Sequence, residues 1–62
     1  MFVITSTIEH QGKDIDVYYV GHGTGKDTIW SDHIDESKTF ASVELAEDTA
    51  ENLIEVTTIR TR

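Results

Sequence analysis

The sequence predicts a small α+β domain of the order ββ(β)αβ, in which one helix packs on one face of an antiparallel sheet. Two alternating segments near the start of the chain predict strands, and apolar residues spaced by three and four after Ser42 predict a helix. The chain has 62 residues, and a fold of about 60 residues buries only about 60% of the surface of its unfolded chain. We therefore expect residues 1–62 to form a single domain with one thin core.

The first two strands are predicted to form a hairpin. Residues 2–8 alternate with period two and are rich in β-branched side chains, which is typical of a strand. A turn with one glycine follows, and residues 15–20 alternate again. The expected core faces are Phe2, Ile4 and Ile8 in the first strand and Ile15, Val17 and Tyr19 in the second.

The middle of the chain predicts less regular structure. Residues 21–27 contain three glycines and predict a loop, after which residues 28–30 predict a short extended stretch. Residues 31–38 are polar apart from Ile34 and predict a helical turn, followed by a brief extended piece over residues 39–41. We expect Trp30 to enter the core beneath the helix.

The helix is predicted to begin after Ser42, a residue type that caps helix N-termini well. Asn52 is the expected terminator, and residues 54–59 alternate again and predict a closing strand that begins at Ile54. The apolar residues that define the inner face of the helix are Val43, Ala46, Ala50 and Leu53.

Composition narrows the classes of protein to which the chain can belong. It has no cysteine, which excludes disulfides and thiolate zinc sites and fits a reducing cytoplasm. Its longest apolar run is Met1 to Ile4, whereas a membrane-spanning helix needs about 20 apolar residues. We therefore expect a cytoplasmic protein with no membrane segment and no signal peptide.

Negative charge is concentrated in the second half of the sequence. The formal net charge is −7, and residues 27–55 contain nine acids against one base, Lys38. Nucleic-acid affinity depends on Lys and Arg side chains that displace counterions, so direct binding to DNA or RNA is not expected. The alternative to a functional role for this charge is that it only keeps a small domain soluble.

The sequence offers no pattern for catalysis, a cofactor or a metal. Residues 21–28 resemble a phosphate-binding loop, but Val20 stands where a Walker loop needs its first glycine and Asp27 where it needs Ser or Thr. A backbone anion nest stays open as an alternative to an ordinary loop. His33 lies near three acids without a metal-ligand spacing, and His10 and His22 are expected to be solvated. We expect no catalytic, cofactor or metal site.

The acids of the helix are the first candidate site. Glu44, Glu47, Asp48, Glu51 and Glu55 recur at steps of three and four, which aligns them along one flank if the helix extends that far, and no lysine offsets them. Like charges four residues apart destabilise a helix by about 0.2–0.5 kcal/mol per pair. One interpretation is that the helix dipole and solubility explain these acids. The other is a negative stripe that attracts a basic partner.

Tyr18 is the second candidate. If Tyr19 enters the core, alternation directs Tyr18 outward beside Val3 and Val20, on the sheet face that a single helix cannot cover. An aromatic residue on such a face predicts a protein or dimer interface, although isolated exposed apolar groups are common on small domains.

Residues 30–42, with Glu44 and Ala46 after them, resemble a pattern in small uncharacterised proteins of bacteriophages and their hosts. The chain departs from that pattern at Ser37, where alanine is usual, and with the preceding hairpin the match covers most of the chain. The resemblance implies a ββ(β)αβ fold and a phage or prophage origin, and it implies no catalytic residue. It makes Trp30, Ile34, Phe40 and Ala46 packing positions and Ser42 a helix cap.

Together these features predict a small non-enzymatic binding protein that docks on a host protein with a basic surface. One alternative is a DNA mimic that inhibits a nucleic-acid-binding protein. Another is an assembly protein whose threonine-rich first and last strands pair edge to edge, so the chain is expected to be a monomer or a homodimer. The predicted partner-binding residues are Tyr18, Asp32, Asp35, Glu36, Glu44, Glu47, Asp48 and Glu51.

Overall fold

A computed structural model describes residues 1–23 and 27–62 and confirms the predicted α+β fold, an antiparallel four-stranded sheet with one helix. The elements are β1 (Phe2–His10), β2 (Lys13–His22), β3 (Thr28–Ser31), α1 (Val43–Ala50) and β4 (Thr58–Thr61). The strands are hydrogen-bonded in the order β3-β2-β1-β4, and a short 3-10 helix over Ile34–Glu36 follows β3. The helix α1 packs against β1 and β4.

The predicted hairpin is present. His10 pairs with Lys13, and the two residues between them, Gln11 and Gly12, have φ angles of 52° and 78°. Two consecutive positive φ angles define the turn type whose twist matches antiparallel strands. Gly12 is suited to such a position because it has no Cβ, which lets the hairpin close with two residues.

The second strand extends further than predicted. Gly21 and His22 were expected in a loop, but they pair with Ile29 and Thr28 of β3. The register shifts between Tyr19 and Gly21, so β2 carries a bulge that absorbs one extra residue and lets pairing continue. The prediction of a glycine-rich loop, with its possible anion nest, falls largely on residues 24–26, outside the described residues.

The core lies between the sheet and α1. Its buried members Ile4, Tyr19, Phe40 and Ala46 come from four separate parts of the chain. The ring of Phe40 stacks with that of Tyr19, and the backbones of Phe40 and Phe2 exchange hydrogen bonds of 2.9 and 2.8 Å. Partly buried residues pack around this centre: Phe2, Trp30, Ala50, Leu53 and Ile59. Trp30 packs at the periphery of the core, edge-on to Tyr19. It lies on β3, whereas α1 packs against β1 and β4, so its packing against the core is confirmed but its expected position beneath the helix is not.

Several residues expected in the core lie at the surface. Ile8 is 46% exposed because α1 is too short to cover the whole of β1. The nine residues of β1 span about 30 Å, whereas the eight residues of α1 span about 12 Å, since a strand rises more per residue than a helix. The helix therefore covers one end of the hairpin and leaves the other open. Val43 and Ile34 are also more than one-third exposed.

The closing strand begins later than predicted. It starts at Thr58, and Ile54 and Val56 are 98% and 90% exposed. The helix ends at Ala50, and the chain must then return from α1 to the edge of the sheet, so residues 51–57 bridge that distance without strand pairing. Alternation in this segment does not reflect a buried face.

The first and last strands pair with each other within the chain. Thr5 pairs with Thr58 and Phe2 with Thr61, so β1 is an inner strand and β3 and β4 are the outer ones. The assembly alternative requires the start of β1 to be a free edge. Within the chain, β4 already pairs with that part of β1. The outer strands available to an assembly partner are β3 and β4.

Candidate acidic interaction surface

The helix α1 begins at the predicted cap. The Ser42 hydroxyl accepts a hydrogen bond of 3.3 Å from the backbone N–H of Leu45. This bond satisfies one of the N–H groups that a helix start leaves without a partner. At the other end, the Asn52 side chain donates to the Asp48 carbonyl at 2.9 Å. Local capping therefore fixes the helix on which the predicted acidic residues lie.

The acids of α1 and its C-cap lie along one side of the helix. At about 100° per residue, Glu44, Glu47, Asp48 and Glu51 fall within an arc of about 100°, and all four are exposed. Ala46, which is fully buried, lies on the opposite side. Glu55, expected on the same flank, lies beyond the end of α1. We call the other four residues the acidic ridge.

None of the ion pairs among the described residues includes a member of the acidic ridge. Those pairs join Asp16 to Arg60 and Asp35 to Arg62, and Asp32 lies 3.3 Å from the neighbouring His33 ring. Lys38, the base nearest to the helix in sequence, lies 5.6 Å from the centroid of the Phe40 ring. The negative charge of the ridge is therefore not balanced by the arginines that the fold uses elsewhere.

The acids around the 3-10 helix form a second, partly neutralised group. Asp32 lies 3.3 Å from the His33 ring, and Asp35 lies 3.7 Å from the Arg62 guanidinium. Glu36 is exposed. The 3-10 helix packs on β2 whereas α1 packs on β1 and β4. In the sequence, the acids around the 3-10 helix and the acids of α1 belong to one negatively charged region. In the fold they lie in two separate places.

Tyr18 lies on the sheet face opposite α1. It pairs with Thr5 and Ser31 and is half-buried. Val3, predicted to be exposed on this face, is fully buried because it lies in the inner strand β1 with Arg60 directly opposite on β4. The structure therefore does not bring Tyr18 together with the acidic ridge.

Arg60 and Asp16 cross this helix-free face. Their side chains approach to 3.8 Å, and Asp16 also accepts a hydrogen bond of 3.0 Å from the Thr7 hydroxyl. Arg60 is on β4 and Asp16 on β2, so the pair spans the inner strand between them. A salt bridge that connects two strands across a third was not predicted, since it depends on strand order.

A buried tyrosine contact was also missed by sequence reasoning. The Tyr19 hydroxyl is 2.8 Å from His22 Nδ1, and the two rings meet edge-on at 5.7 Å. Burial raises the pKa of Tyr19 above its usual value of 10.0. His22, expected to be a solvated imidazole, is exposed but makes this contact because the bulge keeps it in the strand.

An open groove of about 320 Å³ lies between the end of α1 and the start of β4. Two members of the acidic ridge, Glu47 and Glu51, line this groove. The remaining lining residues are Ala50, Thr57 and Ile59. The groove thus combines apolar side chains with two carboxylates. Sequence reasoning missed it because its lining comes from the end of α1 and the start of β4, which only the fold places side by side.

Within the described part of the chain, no group of three or more His, Cys, Asp or Glu side chains is placed to hold a metal ion. Among residues 1–23 and 27–62, no helix has the length and apolar character needed to cross a membrane. No family model, curated protein or solved structure matches the chain.

Proposed function

We propose that this chain is a non-enzymatic binding protein, encoded by a phage or prophage, that acts in the host cytoplasm on a host protein with a basic surface. The observation that carries the proposal is the acidic ridge: four exposed carboxylates on one side of a capped helix, none of them in an ion pair among the described residues. A phage origin rests on the resemblance of residues 30–46 alone.

Charge repulsion within the acidic ridge supports its role as the binding surface, because that repulsion destabilises the isolated chain. Glu44 and Asp48, and Glu47 and Glu51, are like-charged pairs four residues apart, each costing about 0.2–0.5 kcal/mol. The helix dipole offsets this repulsion for Glu44 in the first turn, but not for Glu51 at the C-terminal end. A cationic partner would relieve the repulsion and would be drawn to the ridge by long-range attraction.

Affinity capture from a bacterial lysate tests the proposal. The ridge variant carries Glu44→Gln, Glu47→Gln, Asp48→Asn and Glu51→Gln. The control variant neutralises four exposed acids elsewhere, with Glu9→Gln, Asp14→Asn, Asp27→Asn and Glu55→Gln. Both variants have the same net charge, so a difference between them reports position rather than total charge.

We expect the wild-type chain and the control variant to retain the same basic protein at low salt, and the ridge variant to lose it. Mass spectrometry identifies the retained protein. The proposal is wrong if nothing is retained specifically, or if the ridge variant retains its partner as well as the control does.

A further inference from the structure

The outer edge of β4 has unused backbone hydrogen-bonding groups. The backbone N–H of Arg62 donates to the Met1 carbonyl at 2.8 Å, and Val3 and Thr5 pair with Arg60 and Thr58. Backbone groups in an antiparallel strand point alternately to its two sides. The N–H and C=O groups of Ile59 and Thr61 therefore point away from β1, where no other described strand lies.

This edge lies beside the groove at the end of α1. Ile59 contributes its side chain to the groove and its outward backbone groups to the edge. A strand added to β4 would lie about 4.8 Å beyond it, and alternate side chains of that strand would point to the helix side. Those side chains would enter the groove between Ile59 and the carboxylates of Glu47 and Glu51.

We infer that an extended segment of the partner adds to β4 as a fifth strand and places a lysine or arginine in the groove against Glu47 and Glu51. This inference rests on the proposed function and specifies how the basic partner is recognised. Strand addition supplies affinity through the backbone, and the groove supplies selectivity for a cation. The charge of the groove is what identifies the occupant, since Ala50 and Ile59 alone would accept any apolar side chain.

A second copy of this chain fits the edge poorly. Antiparallel pairing of two β4 strands through Ile59 and Thr61 would place the two copies' Arg60 side chains directly opposite each other on one face of the joint sheet. Like charges in that position are destabilising. Each copy also carries a net charge of −7, which opposes association.

The probe is a labelled nine-residue peptide that alternates lysine and threonine, titrated into the full chain at low salt and followed by fluorescence anisotropy and NMR. We expect the amide signals of Ile59 and Thr61 to shift and to gain protection from hydrogen exchange. Glu47→Gln with Glu51→Gln removes two carboxylates from the groove and is expected to weaken binding about fivefold to tenfold. The matched control, Glu9→Gln with Asp14→Asn, removes the same charge from two exposed acids outside the acidic ridge and is expected to change affinity by less than about twofold.

Thr61→Pro tests the backbone contact. Proline removes the outward N–H of Thr61 and leaves the hydrogen bonds between β1 and β4 intact, so the fold is expected to persist. Peptide affinity is expected to fall about threefold to tenfold, whereas Thr61→Ala, which keeps the amide, is expected to bind like the wild type. Amide spectra of both variants verify that the sheet is retained.

Three results would overturn the inference. The first is equal weakening by the groove variant and its matched control. The second is equal binding by the Thr61→Pro and Thr61→Ala variants. The third is a concentration-dependent shift of the Ile59 and Thr61 signals without peptide, together with dimers in sedimentation, because the edge would then bind a second copy. Capture of a lysate protein by the acidic ridge would leave the proposed function standing in each case, whereas loss of ridge-dependent capture would remove the proposed function itself.

Discussion

The two faces of the sheet use charge differently. On the helix-free face, Arg60 pairs with Asp16 across the inner strand, so the arginine and the acid neutralise each other. On the other face, α1 covers the core and carries four exposed acids that join no described ion pair. The comparison teaches that Arg60 neutralises an acid on the helix-free face, whereas no described base pairs with the acids of the helix.

The largest expected effect comes from the core beneath the helix. Ile4 is fully buried at its centre, and Ile4→Ala is expected to lower the free energy of unfolding by about 2–5 kcal/mol through lost burial and a residual cavity. Ile54, which is 98% exposed, is the matched control, and Ile54→Ala is expected to change stability by less than about 0.5 kcal/mol. Urea unfolding followed by Trp30 fluorescence measures both. Equal effects of the two substitutions would contradict the position of the core.

Alkaline pH is expected to destabilise the folded chain through Tyr19, which lies in the same core. Burial raises the pKa of Tyr19, so the folded state keeps its phenolic proton at pH values where the unfolded chain begins to lose it. Stability is therefore complete below pH 10 and falls as the pH rises above it. Thermal unfolding between about pH 8 and about pH 11 measures this, with Tyr18→Phe as a control and Tyr19→Phe expected to reduce the dependence. A dependence unchanged in Tyr19→Phe would contradict this assignment.

The sequence predicts those features of the fold that are determined by residues close together in the chain. The hairpin, the Ser42 cap and the alignment of the ridge acids follow from spacings of two, three and four residues, and the structure contains each of them. Features that depend on strand order and element length were missed. Alternation in residues 54–57 cannot reveal that no strand partner lies beside them, so Ile54 and Val56 were wrongly placed in a strand.

For the candidate site too, the sequence pattern predicts local features and misses those that depend on the fold. Charge alone joined Asp32, Asp35 and Glu36 to the helix acids, although the 3-10 helix packs on β2 and α1 on β1 and β4. The groove and the free edge of β4 involve residues 47–51 and 57–61, which only the folded chain brings together. Whether any of these residues binds a partner stays a prediction.

A smaller expected effect concerns the acidic ridge itself. Glu51→Lys converts the repulsion with Glu47 into an attraction and places a cation near the C-terminal end of α1. It is expected to raise the free energy of unfolding by about 0.5–1 kcal/mol. Urea unfolding at low and high salt measures the gain, with Glu9→Lys in β1 as the control for net charge. A loss of stability in Glu51→Lys would mean that the Glu51 carboxylate makes stabilising contacts that outweigh its repulsion with Glu47.

The smallest expected effect is on the helix-free face. Arg60 and Asp16 are each about half exposed, and their coupling in a double-mutant cycle with Arg60→Gln and Asp16→Asn is expected to be about 0.2–1 kcal/mol. Salt should reduce this coupling. A coupling energy of zero at low salt would remove the contrast between a neutralised face and an unbalanced one.

The most direct test of the acidic ridge is the salt dependence of the association rate with the captured host protein. The rate constant is measured at about 50 and about 200 mM salt for the wild-type chain, the ridge variant and the control variant of equal net charge. We predict steep, similar salt dependence for the wild type and the control, and slow association with little salt dependence for the ridge variant. Equal loss of rate and salt dependence in the two variants would mean that total charge, and not the acidic ridge, attracts the partner.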